Sequence, residues 1–125
     1  MVKNGSLQVH KKVGNVSELS KILPNHVEGC SGIAHTRWAT HGGVTDANAH
    51  PHTSNDGKIA LVHNGIINNA KGLRRRLEDR GFELKSETDS EALVHMISIG
   101  IDSGQTPLES VRETLRRVTG HGAFV

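Results

Sequence analysis

The chain has 125 residues, and 34% of them are apolar before its 14 glycines are counted, which is enough for one small domain with a real core. Its formal charge is +2, and no apolar run approaches the length of a membrane span. The opening MVKNGSLQVHKK lacks the apolar stretch of a signal peptide, and a lone cysteine, Cys30, excludes an internal disulfide and predicts a cytoplasmic protein. Only Trp38, Phe82 and Phe124 are large aromatics, so the core must be built from Leu, Ile, Val and Ala.

In chain order, SLQVHK (6–11) alternates as a strand does. Asn15 then caps a short helix through Leu23, with Glu18 three residues on and Pro24 ending it. SGIAHTRW (31–38) begins as a strand, and KIALVHN (58–64) predicts a buried central one. Ala70, Leu73 and Leu77 mark a helix closed by Gly81, and FELKS (82–86) a short strand. Thr88-Asp89-Ser90-Glu91 reads as a capping box opening a helix on Ala92, Leu93, Met96 and Ile97, which stops near Gly104. Thr106-Pro107-Leu108-Glu109 opens another, with Leu108, Val111, Leu115 and Val118 as its predicted buried stripe. The closing GHGAFV reads as a strand only begun, and the start as half of a hairpin, so the chain is expected to be part of a larger domain.

The arginine clusters at 74–76 and 116–117 lie beside Glu78, Asp79 and Glu113 and read as solvated helix faces, with no nucleic-acid surface. His35, His41, His50, His52 and His63 fall close together, but none of the spacings is that of a zinc site, and no metal is expected. His63-Asn64-Gly65 has two readings. Asn-Gly after a strand is a hairpin signal, whereas an asparagine amide beside an unhindered glycine N–H is also how an oxyanion hole is built. Arg37 and Asp89 could hold the carboxylate and ammonium of an amino acid, although an aspartate in a first helical turn is also favoured by the helix dipole. Cys30 is expected to be a small buried residue rather than a nucleophile.

Taken together, GIAHTRWATHG (32–42), NAHPH (48–52), LVHNGIINN (61–69) and SETDSE (86–91) resemble the glutaminase domain of the glutamine–fructose-6-phosphate aminotransferases. The related amidophosphoribosyltransferases share the order of these segments and are the alternative within the same chemistry. The resemblance implies an α+β chain, part of the αββα sandwich of N-terminal-nucleophile hydrolases, with residues 1–125 as a partial glutaminase domain. It implies that Arg37 binds the glutamine α-carboxylate and Asp89 the α-amino group. Asn64 and the Gly65 N–H would form the oxyanion hole, and Trp38, Thr40 and His41 would belong to a loop closing over glutamine. His50 would lie near a facing sugar-phosphate isomerase domain. No cofactor is implied, and the parent enzyme would be a homodimer making glucosamine 6-phosphate. The family nucleophile is an N-terminal cysteine, whereas Met1 is followed here by Val2, Lys3 and Asn4. Cys30 cannot replace it, because an internal residue has an amide where the mechanism needs a free amine. The chain by itself is therefore expected to be inactive, and a non-catalytic glutamine-binding module is the reading from another class.

Overall fold

A computed structural model describes residues 1–39 and 42–125. In chain order the elements are β1 (Val2–Lys3), β2 (Ser6–Leu7), α1 (Val16–Ile22), β3 (His52–Thr53), β4 (Ala60–Leu61), β5 (His63–Ile67), α2 (Ala70–Glu78), α3 (Asp89–Asp102), α4 (Pro107–Arg116) and β6 (Gly120–Phe124). The strands pair antiparallel as β1–β2, β3–β4 and β5–β6. Between β4 and β5, Val62 exchanges both backbone hydrogen bonds with Val125, so the predicted 58–64 strand is real but changes partner along its length.

Helix α3 is the centre of the domain and packs against α2, α4, β3, β4 and β5. Its residues from Asp89 to His95 are all buried, as expected of a helix covered on every side. Ala92, Leu93, Val94 and Ile97 meet Leu61 and Ile67 from the strands and Ala70, Leu73 and Leu77 from α2. The core is thus aliphatic, as the scarcity of aromatics requires.

The helix starts follow their local signals. Asn15 accepts from Glu18 N–H, Thr88 from Glu91 N–H, and Thr106 with Glu109 completes a reciprocal capping box. The predicted box at Thr88 is only half made, because the Glu91 carboxylate turns instead to the Lys85 and Ser86 N–H groups. Those bonds also explain why 82–86 is not a strand: a buried carboxylate, not a neighbouring strand, takes its donors. The 31–38 stretch has no ladder either, only the single bridge Val2–Ser31. The 6–11 strand shortens to Ser6–Leu7, which pairs with β1 alone.

Helix α4 corrects the predicted stripe. Ser110 and Thr114 are its buried residues, while Leu108 is 59% exposed and Leu115 is also exposed. Val111 and Val118 are half-buried against the edge of the core. Small side chains let α4 approach α3 closely, and Ser110 Oγ donates to Ile97 O at 2.7 Å. Opposite it stands Gly100, where an added Cβ would overlap Ser110 Oγ and come within 2.8 Å of its Cβ. Gly100→Leu should therefore wedge the two helices apart and cost about 1–3 kcal/mol. A urea midpoint equal to that of the unaltered chain would rule out this close crossing.

Candidate active site

Strand β5 carries the core of the site. Val62–Val125 and Asn68–Thr119 are hydrogen-bonded positions of the β5–β6 ladder. In an antiparallel pair such positions alternate, so His63, Gly65 and Ile67 turn their N–H groups away from β6. The His63 N–H is taken by His50 Nδ1 at 3.1 Å and the Ile67 N–H by Asp89 Oδ2 at 2.9 Å. The Gly65 N–H lies between these two, on the side of a cavity of about 80 Å³. His35, Arg37, Trp38, His50, Asn64, Gly65 and Asp89 are all in the wall of that cavity. Asn-Gly is accordingly not a hairpin turn here but the middle of a paired strand.

Residues at 65 and 122 face each other, and both must be glycine. A Cβ on Gly65 would overlap the His121 carbonyl oxygen, and one on Gly122 would stand 2.7 Å from Asn64 O and overlap His63 Nε2. Asn64 projects to the exposed side, with Oδ1 2.7 Å from His35 Nε2. A donating Nε2–H at that contact leaves the Asn64 Nδ2 hydrogens directed away from His35.

Asp89 is buried at the first turn of α3, where Ser90 Oγ donates to its Oδ1 at 3.2 Å. His63 Nδ1 is 3.1 Å from the same hydroxyl. Arg37 donates to Gly43 O at 3.0 Å, and Trp38 beside it is 88% exposed. The remaining predicted loop residues, Thr40 and His41, lie outside the described residues.

The histidines form a packed group. His35 stacks on His50 at 4.3 Å, and His50 meets His52 edge-on at 4.9 Å. Burial lowers His50 to about 4, helped by the neighbouring His35 and His63. Burial also lowers His52 to about 3, with the Lys11 charge adding to it. Both are neutral near pH 7, which lets His50 accept from His63 and His52 Nε2 pair with Thr88 Oγ1 at 2.9 Å. Among the described residues, no group of three His, Cys, Asp or Glu side chains is placed to hold a metal.

Several contributors were not singled out from the sequence. Arg74, read there as solvated, turns inward to the Thr88 and Ser86 carbonyls and to Glu91. Burial pushes Glu91 up, but the His95 imidazole and the Ser86 and Lys85 donors outweigh it and hold the carboxyl at about 2. Glu91 and Arg74 thereby fix the turn that delivers Thr88, Asp89 and Ser90 to the cavity. Glu91 stood in the sequence only as part of SETDSE and of the expected capping box, and Arg74 carried no signal of an inward role. Cys30, expected to be buried, is exposed and stands outside the cavity wall.

A family model described as a glutamine amidotransferase domain matches residues 24–112. The chain belongs to this family. Within it, the domain is 44% identical over 129 residues to a glutamine–fructose-6-phosphate aminotransferase (isomerizing) of Mycolicibacterium paratuberculosis, covering 98% of this chain and 21% of that protein. It is 47% identical over 120 residues to the Thermus thermophilus enzyme of the same name, covering 95% and 20%. The amidotransferase domain described here thus spans about a fifth of the length of these curated relatives. Among solved structures it is similar to glutamine phosphoribosylpyrophosphate amidotransferase from B. subtilis complexed with ADP and GMP, with TM-score 0.58 and 33% identity over 72% of this chain and 19% of that one. A structure of the allosteric regulatory enzyme of purine biosynthesis gives TM-score 0.60 and 35% identity over 72% and 20%. The α+β class and its place in the N-terminal-nucleophile amidotransferase fold therefore stand. No helix among the described residues is long and apolar enough to cross a membrane.

Proposed function

We propose that this amidotransferase domain binds glutamine for hydrolysis of its side-chain amide and belongs to a glutamine–fructose-6-phosphate aminotransferase. The observation that carries the reading is that one cavity wall contains a guanidinium (Arg37), a buried carboxylate (Asp89), a carboxamide (Asn64) and an outward-turned strand N–H (Gly65). Arg37 takes the α-carboxylate and Asp89 the α-ammonium. The side-chain carbonyl oxygen sits between Asn64 Nδ2 and the Gly65 N–H, which stabilise the negative charge that develops when the carbonyl carbon is attacked. In the whole enzyme the thiol of the family's N-terminal cysteine adds to that carbon, and its proton passes to the amide nitrogen as the C–N bond breaks and ammonia leaves. Water then hydrolyses the thioester to the glutamate carboxylate and frees the thiol.

Cys30 is not the nucleophile in this reading. Its nitrogen is a peptide amide donating to Val2 O at 3.1 Å, and its side chain is exposed. In this reading His50 and Trp38, both in the cavity wall, border the bound amino acid, and the indole, 88% exposed in the chain, closes over it. In the whole enzyme the ammonia passes to a sugar-phosphate isomerase domain and yields glucosamine 6-phosphate.

Calorimetric titration of this chain with L-glutamine tests the reading. Each charge-assisted anchor contributes about 1.5–3 kcal/mol, so Arg37→Ala and Asp89→Asn should each weaken binding by roughly ten- to a hundredfold. Cys30→Ala should bind as the unaltered chain does. Glutamine affinity indifferent to both anchor substitutions would discard the proposed pose.

A further inference from the structure

Arg37 and Asp89 come from segments about fifty residues apart, yet an α-amino acid presents its carboxylate and ammonium on one carbon. Two anchors serve one such ligand only if their separation is held. Arg37 is braced by the loop that follows it: Nη1 donates to Gly43 O at 3.0 Å and Nη2 to Gly42 O at 3.5 Å. That loop is in turn fastened to the residue two before Asp89. Glu87 Oε2 accepts from Gly43 N–H and from Asn48 Nδ2, each at 2.9 Å. The Asn48 amide group also donates to Gly43 O at 2.9 Å, and its oxygen accepts from Glu87 N–H at 2.8 Å. Asn48, 2% exposed, is thereby clasped on both faces, and Gly43 is held through both its N–H and its carbonyl.

We propose that Glu87 is a positioning residue that sets the distance between Arg37 and Asp89, and so makes the site selective for ligands carrying both α-groups. The proposal rests on the glutamine-binding reading above and deepens it. Glu87 is exposed and is not in the wall of the cavity. Its carboxylate joins the Arg37 loop to the start of α3 through Gly43, and the short, two-sided bonds to buried Asn48 leave that joint little freedom. Preorganisation of this kind adds to affinity only when both anchors engage at once.

The test compares three ligands on the full 125-residue chain: L-glutamine, 5-amino-5-oxopentanoate, which lacks the ammonium, and 4-aminobutanamide, which lacks the carboxylate. Glu87→Asp keeps the charge and the backbone bond to Asn48 but withdraws the carboxylate by one methylene from Gly43 N–H. Glu87→Gln keeps an oxygen within reach of that N–H. With anchor spacing lost, Glu87→Asp should weaken glutamine by at least about tenfold while the two single-anchor ligands change by less than about twofold. Glu87→Gln should stay within about threefold of the unaltered chain for all three. Thermal melts of both variants accompany the titrations. Glu87→Asp binding glutamine as the unaltered chain does, or losing all three ligands alike, would overturn the proposal. A different failure, with the unaltered chain holding glutamine no better than either analogue, would instead remove the two-anchor reading on which the proposal stands.

Discussion

Gly65→Ala is expected to destabilise the domain severely. At Gly65 φ is +149°, a conformation that side-chain-bearing residues rarely adopt. The added Cβ would overlap the His121 carbonyl oxygen, stand 2.5 Å from Gly122 Cα and lie 2.9 Å from His63 Nε2. Two of these are backbone atoms of the paired strand, so no rotamer change relieves the clash. Relief requires β5 and β6 to separate, which would strip the ladder from His63 to Ile67 and release Ile67 from the core. Overpacking with strain of this kind costs about 3 kcal/mol or more, a large share of the roughly 5–15 kcal/mol by which domains are stable. Urea unfolding followed by circular dichroism reads the effect directly. A variant with an unshifted midpoint would mean that β5 and β6 are not paired in this register. The same glycine turns its N–H toward the cavity, so the residue that permits the strand pairing also builds half of the proposed oxyanion hole.

The second large effect is loss of stability in mild acid. His50 and His52 are lowered to about 4 and about 3 in the folded domain, chiefly by burial, whereas an unfolded histidine keeps its ordinary value of 6.5. Below that value the unfolded chain takes up protons that the folded chain refuses. Stability is therefore unaffected above about pH 7 and falls as the pH drops through 6.5 toward 4. Each group contributes a slope of about 1.4 kcal/mol per pH unit once the unfolded histidine is protonated, so the pair should remove several kcal/mol by about pH 4.5. Glu91 acts in a lower window. Its folded value of about 2, against an ordinary 4.5, contributes stability that is intact above 4.5 and lost below it. Urea midpoints at pH 7, 6, 5 and 4.5 should decline continuously, and the double variant His50→Asn, His52→Gln should flatten the decline above pH 4.5. A midpoint constant from pH 7 to 4.5 would contradict buried, neutral imidazoles at these positions. Since His50 holds the His63 N–H and His52 holds Thr88, acid should also release both sides of the cavity.

Where the sequence could be read directly, the signal was local. Asn15, Thr88 and Thr106 each cap the helix they were expected to cap, because a side-chain oxygen three residues before a backbone N–H needs nothing beyond its own turn. The stripe of Ala70, Leu73 and Leu77 is buried as predicted, since α2 covers one face of α3 with an ordinary apolar row. The strand expected to begin at 31 and the one expected at 82–86 do not form, because a strand exists only with a partner. Glu91, not a neighbouring strand, satisfies Lys85 and Ser86. Helix α4 has the periodicity expected of it, but its closest contact is made by Ser110 and Thr114, where a small residue opposite Gly100 outweighs an apolar stripe.

The sequence by itself determined the family, the helix starts and the aliphatic character of the core. Each is written in contiguous motifs or in the spacing of a few neighbouring residues. It also held the candidate glutamine anchors Arg37 and Asp89 and the Asn64-Gly65 pair, but with competing local readings for Asp89 and for the pair. Tertiary structure alone ruled out the hairpin turn at that pair. Pairing of His63–Ile67 with Gly120–Phe124 makes Asn-Gly a strand and not a turn, and the alternation of an antiparallel ladder then aims the Gly65 N–H at the cavity. Only the folded chain, too, brings Asn48 and Glu87 together across 39 residues to brace the Arg37 loop against the start of α3. The physical reason is the same in each case: a hydrogen-bond donor has many possible acceptors along a chain, and packing selects the one that is within reach.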